Sequence, residues 1–229
     1  MRLLADIGNT CVKIATADRT DIGEVVRYAH EDVPWAELTA GVEEVRLSVV
    51  GPKPEQLFKI CKDRGVPLLR VREIATLSEE TEGVSLRVPE ALGDDRLAAI
   101  MGARRRSQGY PVLVVDSGTC LTTDLVSAGG EHLGGVISPG YGMRLESMHE
   151  HTVGLPRVEY EGESPLWALT TDDAMRGGAY NGLLYEIAGY VRAARERVPN
   201  VRVYYTGGMP LALDADVERC PNLVLEGLL

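Results

Sequence analysis

Two short turns that carry Asp, Gly and Thr stand in the two halves of the chain, and each follows an apolar run typical of a buried strand. The first turn is residues 6–10, Asp-Ile-Gly-Asn-Thr, and the second is residues 116–119, Asp-Ser-Gly-Thr. Glycine lets the backbone come close to a phosphate, and backbone amides and the Thr hydroxyl donate to phosphate oxygens. The carboxylate can hold a cation directly or through water. Two such turns facing each other would bind the phosphates of a nucleotide between them.

A second cluster, Gly-Asp-Asp-Arg at residues 93–96, places two carboxylates beside a guanidinium where a helix is predicted to begin. The amino end of a helix favours anionic groups, so simple N-capping by Asp94 or Asp95 is one interpretation. The other interpretation is a carboxylate base next to an Arg that holds a substrate. The phosphate-turn candidates elsewhere in the chain favour the second interpretation.

The elements around these residues repeat. Each turn lies between two apolar-alternating segments, so both halves are predicted to open with paired strands, at 2–6 and 11–16 and again at 112–116 and 120–126. Helices are predicted at 55–64, 94–106, 141–149 and 172–197. We expect irregular chain over 72–92 and 153–166, a strand interrupted by glycines within 131–137, and a final strand at 223–225. The pattern predicts an α/β fold built by duplication, with lobes at 1–111 and 112–229 and ligands between them.

Composition excludes several classes of function. The formal charge of −10 argues against a nucleic-acid partner, which calls for a basic surface. The four cysteines are scattered and the four histidines form no ligand pattern, so we expect reduced thiols and no zinc site. No apolar run approaches the length of a membrane span, and Asp6 ends the first apolar run too early for a secretory signal. We therefore expect a soluble, cytoplasmic protein.

The order of the motifs resembles that of type III pantothenate kinases. The motifs that carry the resemblance span nearly the whole chain: residues 6–10 with Lys13, 93–96, 116–119 with Thr122 and Asp124, 134–140, 171–173 and 206–208. The resemblance implies the fold of the acetate kinase, sugar kinase, Hsp70 and actin superfamily, in which two ribonuclease-H-like (actin-like ATPase) lobes with mixed sheets flanked by helices bind ATP. It also implies transfer of the γ-phosphoryl group of ATP to pantothenate, which gives 4′-phosphopantothenate for coenzyme A synthesis.

Site roles follow from the same resemblance, position by position. Asp95 matches the catalytic base. Asp116 matches the ligand of a monovalent cation, K⁺ or NH₄⁺, and Asp6 matches a Mg²⁺ site, with water as a possible bridge. The residues that match ATP contacts are Asp6, Gly8, Asn9, Thr10, Lys13, Gly118, Thr119, Thr122 and Gly207. Those that match pantothenate contacts are Gly93, Asp94, Arg96 and Thr171. The family completes its site across a homodimer interface, so a dimer is implied.

Three positions depart from the family pattern and keep alternatives open. Leu86 stands where the family often has Tyr, Leu121 replaces a hydroxyl residue of the second turn, and Ala174 stands where Asn is common. One alternative is a kinase of the same superfamily that acts on another small alcohol or acid. The other is a regulatory or accessory relative without catalysis. Retention of Asp6, Asp95 and Asp116 favours an active kinase.

Overall fold

The computed structural model describes residues 1–82, 85–159 and 162–229. Its contacts divide the described chain into two compact units. The first unit consists of Met1–Tyr110, Val126–His132 and Asn222–Leu229, and the second of Pro111–Leu125 and Leu133–Pro221. The segments predicted to be irregular include Gly83, Val84, Tyr160 and Glu161, which lie outside the described residues.

The first unit contains a five-stranded mixed sheet with the strand order β3-β2-β1-β4-β5. Its strands are β1 (Arg2–Ile7), β2 (Val12–Ala17), β3 (Val26–Tyr28), β4 (Glu44–Val49) and β5 (Leu68–Arg70). β1 lies at the centre and pairs antiparallel with β2 and parallel with β4. The middle of the central strand is apolar, and Leu3, Leu4 and Ala5 are fully buried, as expected of a strand covered on both faces.

A second five-stranded sheet has the strand order β10-β9-β6-β7-β8, and the second turn joins its strands β6 and β7. Its strands are β6 (Val112–Ser117), β7 (Cys120–Val126), β8 (His132–Pro139), β9 (Arg202–Gly207) and β10 (Val217–Arg219). Read from β8 to β10, this order repeats the order from β3 to β5 in the first sheet. β6 therefore corresponds to β1. The parallel neighbour of β6, β9, corresponds to β4, the parallel neighbour of β1. The duplication predicted from the turns is thus also present in the topology of the sheets.

The helices of the first unit include α4, which begins at the predicted cluster at residues 93–96. These helices are α1 (Trp35–Leu38), α2 (Glu55–Arg64), α3 (Val71–Glu82), α4 (Asp94–Ser107) and α7 (Leu223–Gly227). α4 and α7 approach so closely that a Cβ on Gly102 would lie 2.4 Å from the Leu223 carbonyl oxygen, and one on Gly227 would lie 1.8 Å from that of Ala98. Two glycines therefore allow this backbone contact.

The helices of the second unit are α5 (Tyr141–Glu150) and the long α6 (Thr171–Arg197). One face of α6, with Leu183 and Ile187, packs into an aliphatic core together with Leu113 and Leu121 of the sheet. Thr170 is the N-cap residue of α6, and its hydroxyl oxygen accepts a hydrogen bond from the amide of Asp173. This cap and the buried face explain why a segment with several glycines stays helical.

Three predicted elements differ from the structure. The final strand expected at 223–225 is wrong, because these residues form the short helix α7, in which Leu223 and Leu225 are buried. The glycines at 134–135 do not interrupt β8, which runs from His132 to Pro139. The segment expected to be irregular begins with helix α3, which buries Val71 and Ile74 on one face. Among the described residues, no helix has both the length and the apolar character that a membrane crossing requires.

Candidate active site

Asp6 lies on the central strand of the first sheet, where both neighbouring strands place a polar residue opposite it. The register pairs Asp6 with Lys13 on β2 and with Ser48 on β4. Opposed residues on neighbouring strands point to the same face of a sheet, so the three side chains form one polar group in an apolar sheet. The Nζ atom of Lys13 lies 3.7 Å from Oδ2 of Asp6.

Asp6 is buried, with 6% of the residue exposed. Burial raises its pKa, the Lys13 ammonium opposes this shift, and the Asp95 carboxylate adds to it. The Ser48 hydroxyl also opposes the rise, although its geometry falls short of a hydrogen bond. Among the described residues, Oδ1 of Asp6 has no hydrogen-bond partner. Asp6 and Asp95 are therefore close enough for their charges to interact, and Asp6 has a buried oxygen available for a cation or a water molecule.

The first turn is held in place by the segment that follows β4. The Gly8 amide donates to the Cys11 carbonyl at 3.1 Å, and the amides of Val50 and Gly51 each donate to the Ile7 carbonyl at 3.0 Å. A Cβ on Gly51 would lie 1.9 Å from the Gly8 carbonyl oxygen. Only glycine fits there, so Gly51 is a supporting residue of the first turn that the sequence reasoning missed.

The cluster at residues 93–96 forms the beginning of α4. Gly93 occupies the N-cap position, so neither Asp94 nor Asp95 is the N-cap residue of this helix. Asp94, Asp95 and Arg96 are all half-buried. Oδ1 of Asp95 accepts a hydrogen bond from the Arg96 amide at 2.7 Å, which fixes the carboxylate beside the backbone at the positive end of the helix.

Gly93 leaves room for this carboxylate, because a Cβ on Gly93 would lie 2.8 Å from Oδ1 of Asp95. We expect Gly93→Ala to displace the carboxylate and to lower kcat by about tenfold, less than the roughly 10²-fold cost of a full 1 Å misplacement. The melting temperature should stay close to that of the wild type, since only a side-chain terminus has to move. Gly189→Ala in α6 is the control, because its Cβ would meet no atom of the described residues within 4 Å. Equal kcat values for both variants would contradict a positioning role of Gly93.

The second turn repeats the arrangement of the first in the second unit. Asp116 is opposite Thr206 on β9, and Ser117 is opposite Gly207. The Gly118 amide donates to the Cys120 carbonyl at 3.0 Å, and the Met209 amide donates to the Ser117 carbonyl at 3.3 Å. In both units, a residue after the parallel neighbouring strand (β4 or β9) therefore supports the turn. Its amide donates a hydrogen bond to the carbonyl of the residue that follows the Asp.

Two glycines make close backbone contacts with the second turn. A Cβ on Gly207, whose φ is +102°, would lie 2.3 Å from the Ser117 carbonyl oxygen and 2.7 Å from Oδ1 of Asp116. A Cβ on Gly140 would lie 2.4 Å from the Gly118 carbonyl oxygen and 2.5 Å from that of Thr119. The sequence indicates Gly140 only as part of the motif at residues 134–140, whereas the structure packs it against the second turn.

Tyr205 stands next to this group on β9. Its hydroxyl donates to the Met209 carbonyl at 2.6 Å. Burial raises its pKa to about 12, and the Asp116 carboxylate adds to the rise, while the Ser117 hydroxyl and Arg219 oppose it. Tyr205 therefore stays protonated and helps to hold the segment that follows Gly207.

The structure thus brings the predicted residues together in two groups, each inside its own unit. The first group contains Asp6, Gly8, Lys13, Gly93 and Asp95, and the second contains Asp116, Gly118, Thr119 and Gly207. Three other predicted ATP or pantothenate contacts are solvent-accessible: Asn9 and Thr10 at the tip of the first turn, and Thr171 as the first residue of α6. Thr122 is half-buried on β7.

The three departures from the family pattern have different surroundings. Leu121 is fully buried in the core beneath α6, so a hydroxyl would be unfavourable there. Ala174 is exposed on the first turn of α6. Leu86 is half-buried, and its Cα would lie 3.6 Å from a Cβ on Gly130. Leu121 is therefore explained by packing.

Within the described residues, no group of three or more His, Cys, Asp or Glu side chains could hold a metal ion. A cation at Asp6 or Asp116 would need further oxygen ligands from substrate, water or backbone. Mg²⁺ in phosphoryl-transfer sites is held in this way, by one or two carboxylates with phosphates and waters. The unpartnered Oδ1 of Asp6 fits such a role.

Comparison with known proteins identifies the family. The sequence profile described as "Type III pantothenate kinase" matches residues 2–193. The chain belongs to the type III pantothenate kinase family. A type III pantothenate kinase from Bacteroides fragilis YCH46 is 35% identical over 236 residues, which cover 100% of this chain and 96% of that protein. A type III pantothenate kinase from Synechococcus sp. JA-3-3Ab is 33% identical over 238 residues, covering 99% of this chain and 90% of that protein.

Solved structures agree on the fold. A Campylobacter jejuni protein, provisionally named a Baf family transcriptional activator, superposes with a TM-score of 0.63 at 21% identity and covers 98% of this chain and 94% of that one. A Sinorhizobium meliloti protein, provisionally named a 2-dehydro-3-deoxygalactonokinase, superposes with a TM-score of 0.53 at 13% identity, covering 100% and 97%. With the two repeated mixed sheets, these matches confirm the predicted class of duplicated, ribonuclease-H-like lobes.

Proposed function

We propose that this protein phosphorylates pantothenate with ATP to give 4′-phosphopantothenate and ADP, the first step of coenzyme A biosynthesis. Membership of the type III pantothenate kinase family supports this reaction. The observation that carries the assignment of the site is the group formed by Asp6, Lys13 and Asp95, in which a half-buried carboxylate at a helix start interacts with a buried carboxylate beside a lysine.

The first turn and the second turn bind the phosphates of one ATP molecule. Gly8, Asn9 and Thr10 supply backbone amides and a hydroxyl, and Gly118 and Thr119 supply the same groups from the second turn. Lys13, as a compact positive charge, neutralises phosphate oxygens. Thr122 and Gly207 complete the contacts. The matching support of both turns by the segments after β4 and β9 favours this equivalent role.

Asp95 acts as the general base. The primary hydroxyl of pantothenate donates its proton to the Asp95 carboxylate as its oxygen bonds to the γ-phosphorus, and the bond from phosphorus to the bridging oxygen of ADP breaks. Phosphoryl transfer depends on positioning and charge neutralisation, so a single carboxylate is sufficient as the base. Gly93, Asp94 and Arg96 hold pantothenate beside the base, with the Arg96 guanidinium suited to the substrate carboxylate.

Asp6 holds Mg²⁺, directly or through water. When bound at Asp6, Mg²⁺ would supply positive charge that offsets the charge of the ATP phosphates. Lys13 and the nearby Asp95 set the charge around Asp6, and a cation bound there would favour the charged carboxylate that burial and Asp95 disfavour. The unpartnered Oδ1 supports this assignment.

Asp116 holds a monovalent cation, K⁺ or NH₄⁺, which adds a fixed positive charge near the phosphates. We expect activity to fall severalfold when Na⁺ replaces K⁺, because a carboxylate with backbone carbonyls discriminates between cations by size and field strength. Asp116→Asn should lower activity in K⁺ and remove the difference between the two salts. The measurement is the initial rate in matched KCl and NaCl. Equal wild-type rates in both salts would exclude a selective site.

The functional protein is a homodimer in which Thr171 contributes to pantothenate binding. The second unit exposes several large apolar side chains that support a protein contact: Ile137 (61% exposed), Met143, Leu166, Trp167, Leu169 and Tyr185 (63% exposed). Light scattering should give a mass of twice 24.9 kDa. Tyr185→Glu should yield monomers with reduced turnover, whereas Leu77→Glu, at an exposed apolar position of the first unit, should not. A dimeric Tyr185→Glu protein would show that this residue lies outside the interface.

The function itself is tested by measuring ADP release by the purified protein with ATP, Mg²⁺ and K⁺, with and without pantothenate, and by mass spectrometry of the product. We expect ADP release that depends on pantothenate and a product heavier by one phosphoryl group. Release that depends instead on another small alcohol or acid would reassign the substrate within the same superfamily. Absence of any substrate-dependent ADP would favour a regulatory or accessory role.

A further inference from the structure

A second candidate site lies inside the second unit, between the second sheet and the last two turns of α6. It is a cavity of about 220 Å³, which we call the Thr123 cavity. Its aliphatic walls come from Leu113, Leu125 and Val136, and its polar groups come from Thr123, Tyr190 and Arg197. Gly134 leaves its β8 side open, because a Cβ there would meet no described atom within 4 Å.

The hydroxyl of Thr123 is the feature that needs an explanation. Thr123 is 3% exposed, and its Oγ1 has no hydrogen-bond partner among the described residues. Its neighbours on the same face of β7, Leu121 and Leu125, are buried aliphatic residues of the core beneath α6. A valine would fill this position without an unpaired oxygen, and a buried hydroxyl without a partner is unfavourable. The oxygen is accounted for if a ligand supplies the partner.

Arg197 provides a positive charge at the same cavity. It is exposed at the carboxyl end of α6, and no ion-pair partner for it occurs among residues 1–82, 85–159 and 162–229. By contrast, Arg195 two positions earlier is paired with Asp216 and lines a different cavity. An unpaired guanidinium that lines the same cavity as Tyr190, a hydroxyl donor, is suited to a carboxylate.

We propose that the Thr123 cavity binds a short aliphatic acid that carries a hydroxyl or keto oxygen on its chain. The carboxylate pairs with Arg197, the aliphatic chain contacts Leu113 and Leu125, and the chain oxygen bonds to the Thr123 hydroxyl. The volume corresponds to roughly seven water molecules at about 30 Å³ each, and it is smaller than the roughly 300–1,000 Å³ of sites for larger ligands.

This site is separate from the proposed catalytic residues of the same unit. Tyr190 lies 19 residues after Thr171 in α6, which at about 1.5 Å per residue is roughly 28 Å along the helix axis. Thr123 lies four residues after Thr119, about 13 Å along the strand. The adjacent Thr122, a proposed ATP contact, lies on the opposite face of β7, because successive side chains of a strand alternate. A ligand there is additional to ATP and pantothenate, and its binding can be measured independently of catalysis.

The test is an NMR titration of the full-length chain, labelled with ¹⁵N, with four probes: 2-hydroxybutyrate, 2-oxobutyrate, butyrate and butyramide. We expect saturable shifts of the Gly134 and Tyr190 amides with one or both of the oxygenated acids. Butyrate, which lacks the chain oxygen, should bind about fivefold more weakly, the equivalent of one neutral hydrogen bond. Butyramide, which lacks the charge, should bind at least about tenfold more weakly.

Two variants separate the polar contacts. Thr123→Val should fold as well as the wild type, because it removes an unpaired hydroxyl, and it should abolish the preference for the oxygenated acid over butyrate. Arg197→Gln should abolish the preference for butyrate over butyramide, whereas Arg195→Gln should leave all affinities unchanged. Absence of saturable shifts in the wild-type protein, or an unchanged oxygen preference in Thr123→Val, would overturn the proposal.

Discussion

Asp95→Asn is expected to lower kcat for pantothenate phosphorylation by about 10²- to 10⁴-fold, the usual cost of removing a general base. Asparagine keeps the shape of the side chain but cannot accept the proton of the hydroxyl. Because Asp95 is half-buried at the start of α4 and belongs to no buried core, the melting temperature should change little. Steady-state kinetics and thermal unfolding check both parts.

The matched control is Asp63→Asn, which also removes a carboxylate from a helix of the first unit. Asp63 is exposed on α2 and pairs with Lys59, so its loss should not change kcat. Asp94→Asn gives a second comparison, with an expected effect mainly on the KM for pantothenate. Near-normal turnover of Asp95→Asn with a loss in Asp94→Asn would move the base to Asp94.

Gly207→Ala is expected to lower kcat/KM for ATP by at least about 10²-fold, because the new Cβ would collide with the backbone of the second turn. The φ of +102° adds backbone strain, so the free energy of unfolding should also fall by about 1–3 kcal/mol. The Asp116 carboxylate lies beside the same Cβ position, so the cation preference should weaken in parallel. ATP titrations in KCl and NaCl, together with denaturant unfolding, measure these effects.

Gly208→Ala is the control for this variant. A Cβ on Gly208 would meet none of the described atoms within 4 Å, and its backbone needs no positive φ. It should keep the fold and change ATP kinetics far less than Gly207→Ala. If the two variants behave alike, the contact between Gly207 and the second turn is not what shapes the phosphate site.

The features that could be predicted from the sequence are those that depend on the pattern of neighbouring residues. Strand, acidic glycine turn and strand recur around Asp6 and Asp116, and this repeat predicted the duplicated α/β fold. The helix beginning at the cluster of Asp94, Asp95 and Arg96 was also predicted, because charged residues at a helix start precede an apolar face. These signals depend on residues within a few positions of each other.

The residues that support the turns could not be predicted in the same way. Ser48 lies opposite Asp6 only because β4 pairs parallel with β1, and Gly51 contacts the first turn through that pairing. Parallel strands are separated by long connections, so the sequence does not state their register. The same holds for Gly140 beneath the second turn.

The misassigned elements have similar physical causes. The run Leu223–Leu225 is short and apolar, and periodicity alone does not separate a buried helix from a strand at that length. The close packing of this segment against α4, which Gly102 and Gly227 permit, favours a helical conformation over a strand. Helix α3 has few apolar residues, so its amphipathic face, with Val71 and Ile74 buried, gave a weak signal. Tertiary contacts therefore determined both outcomes.

The central claim is that two acidic glycine turns bind one triphosphate while Asp95 accepts the proton of the pantothenate hydroxyl. A crystal structure with a non-hydrolysable ATP analogue, Mg²⁺, K⁺ and pantothenate tests it most directly. We predict phosphate oxygens in contact with residues of both turns and the primary hydroxyl within about 3 Å of an Asp95 oxygen. A triphosphate that contacts only one turn, or a hydroxyl directed away from Asp95, would contradict the mechanism.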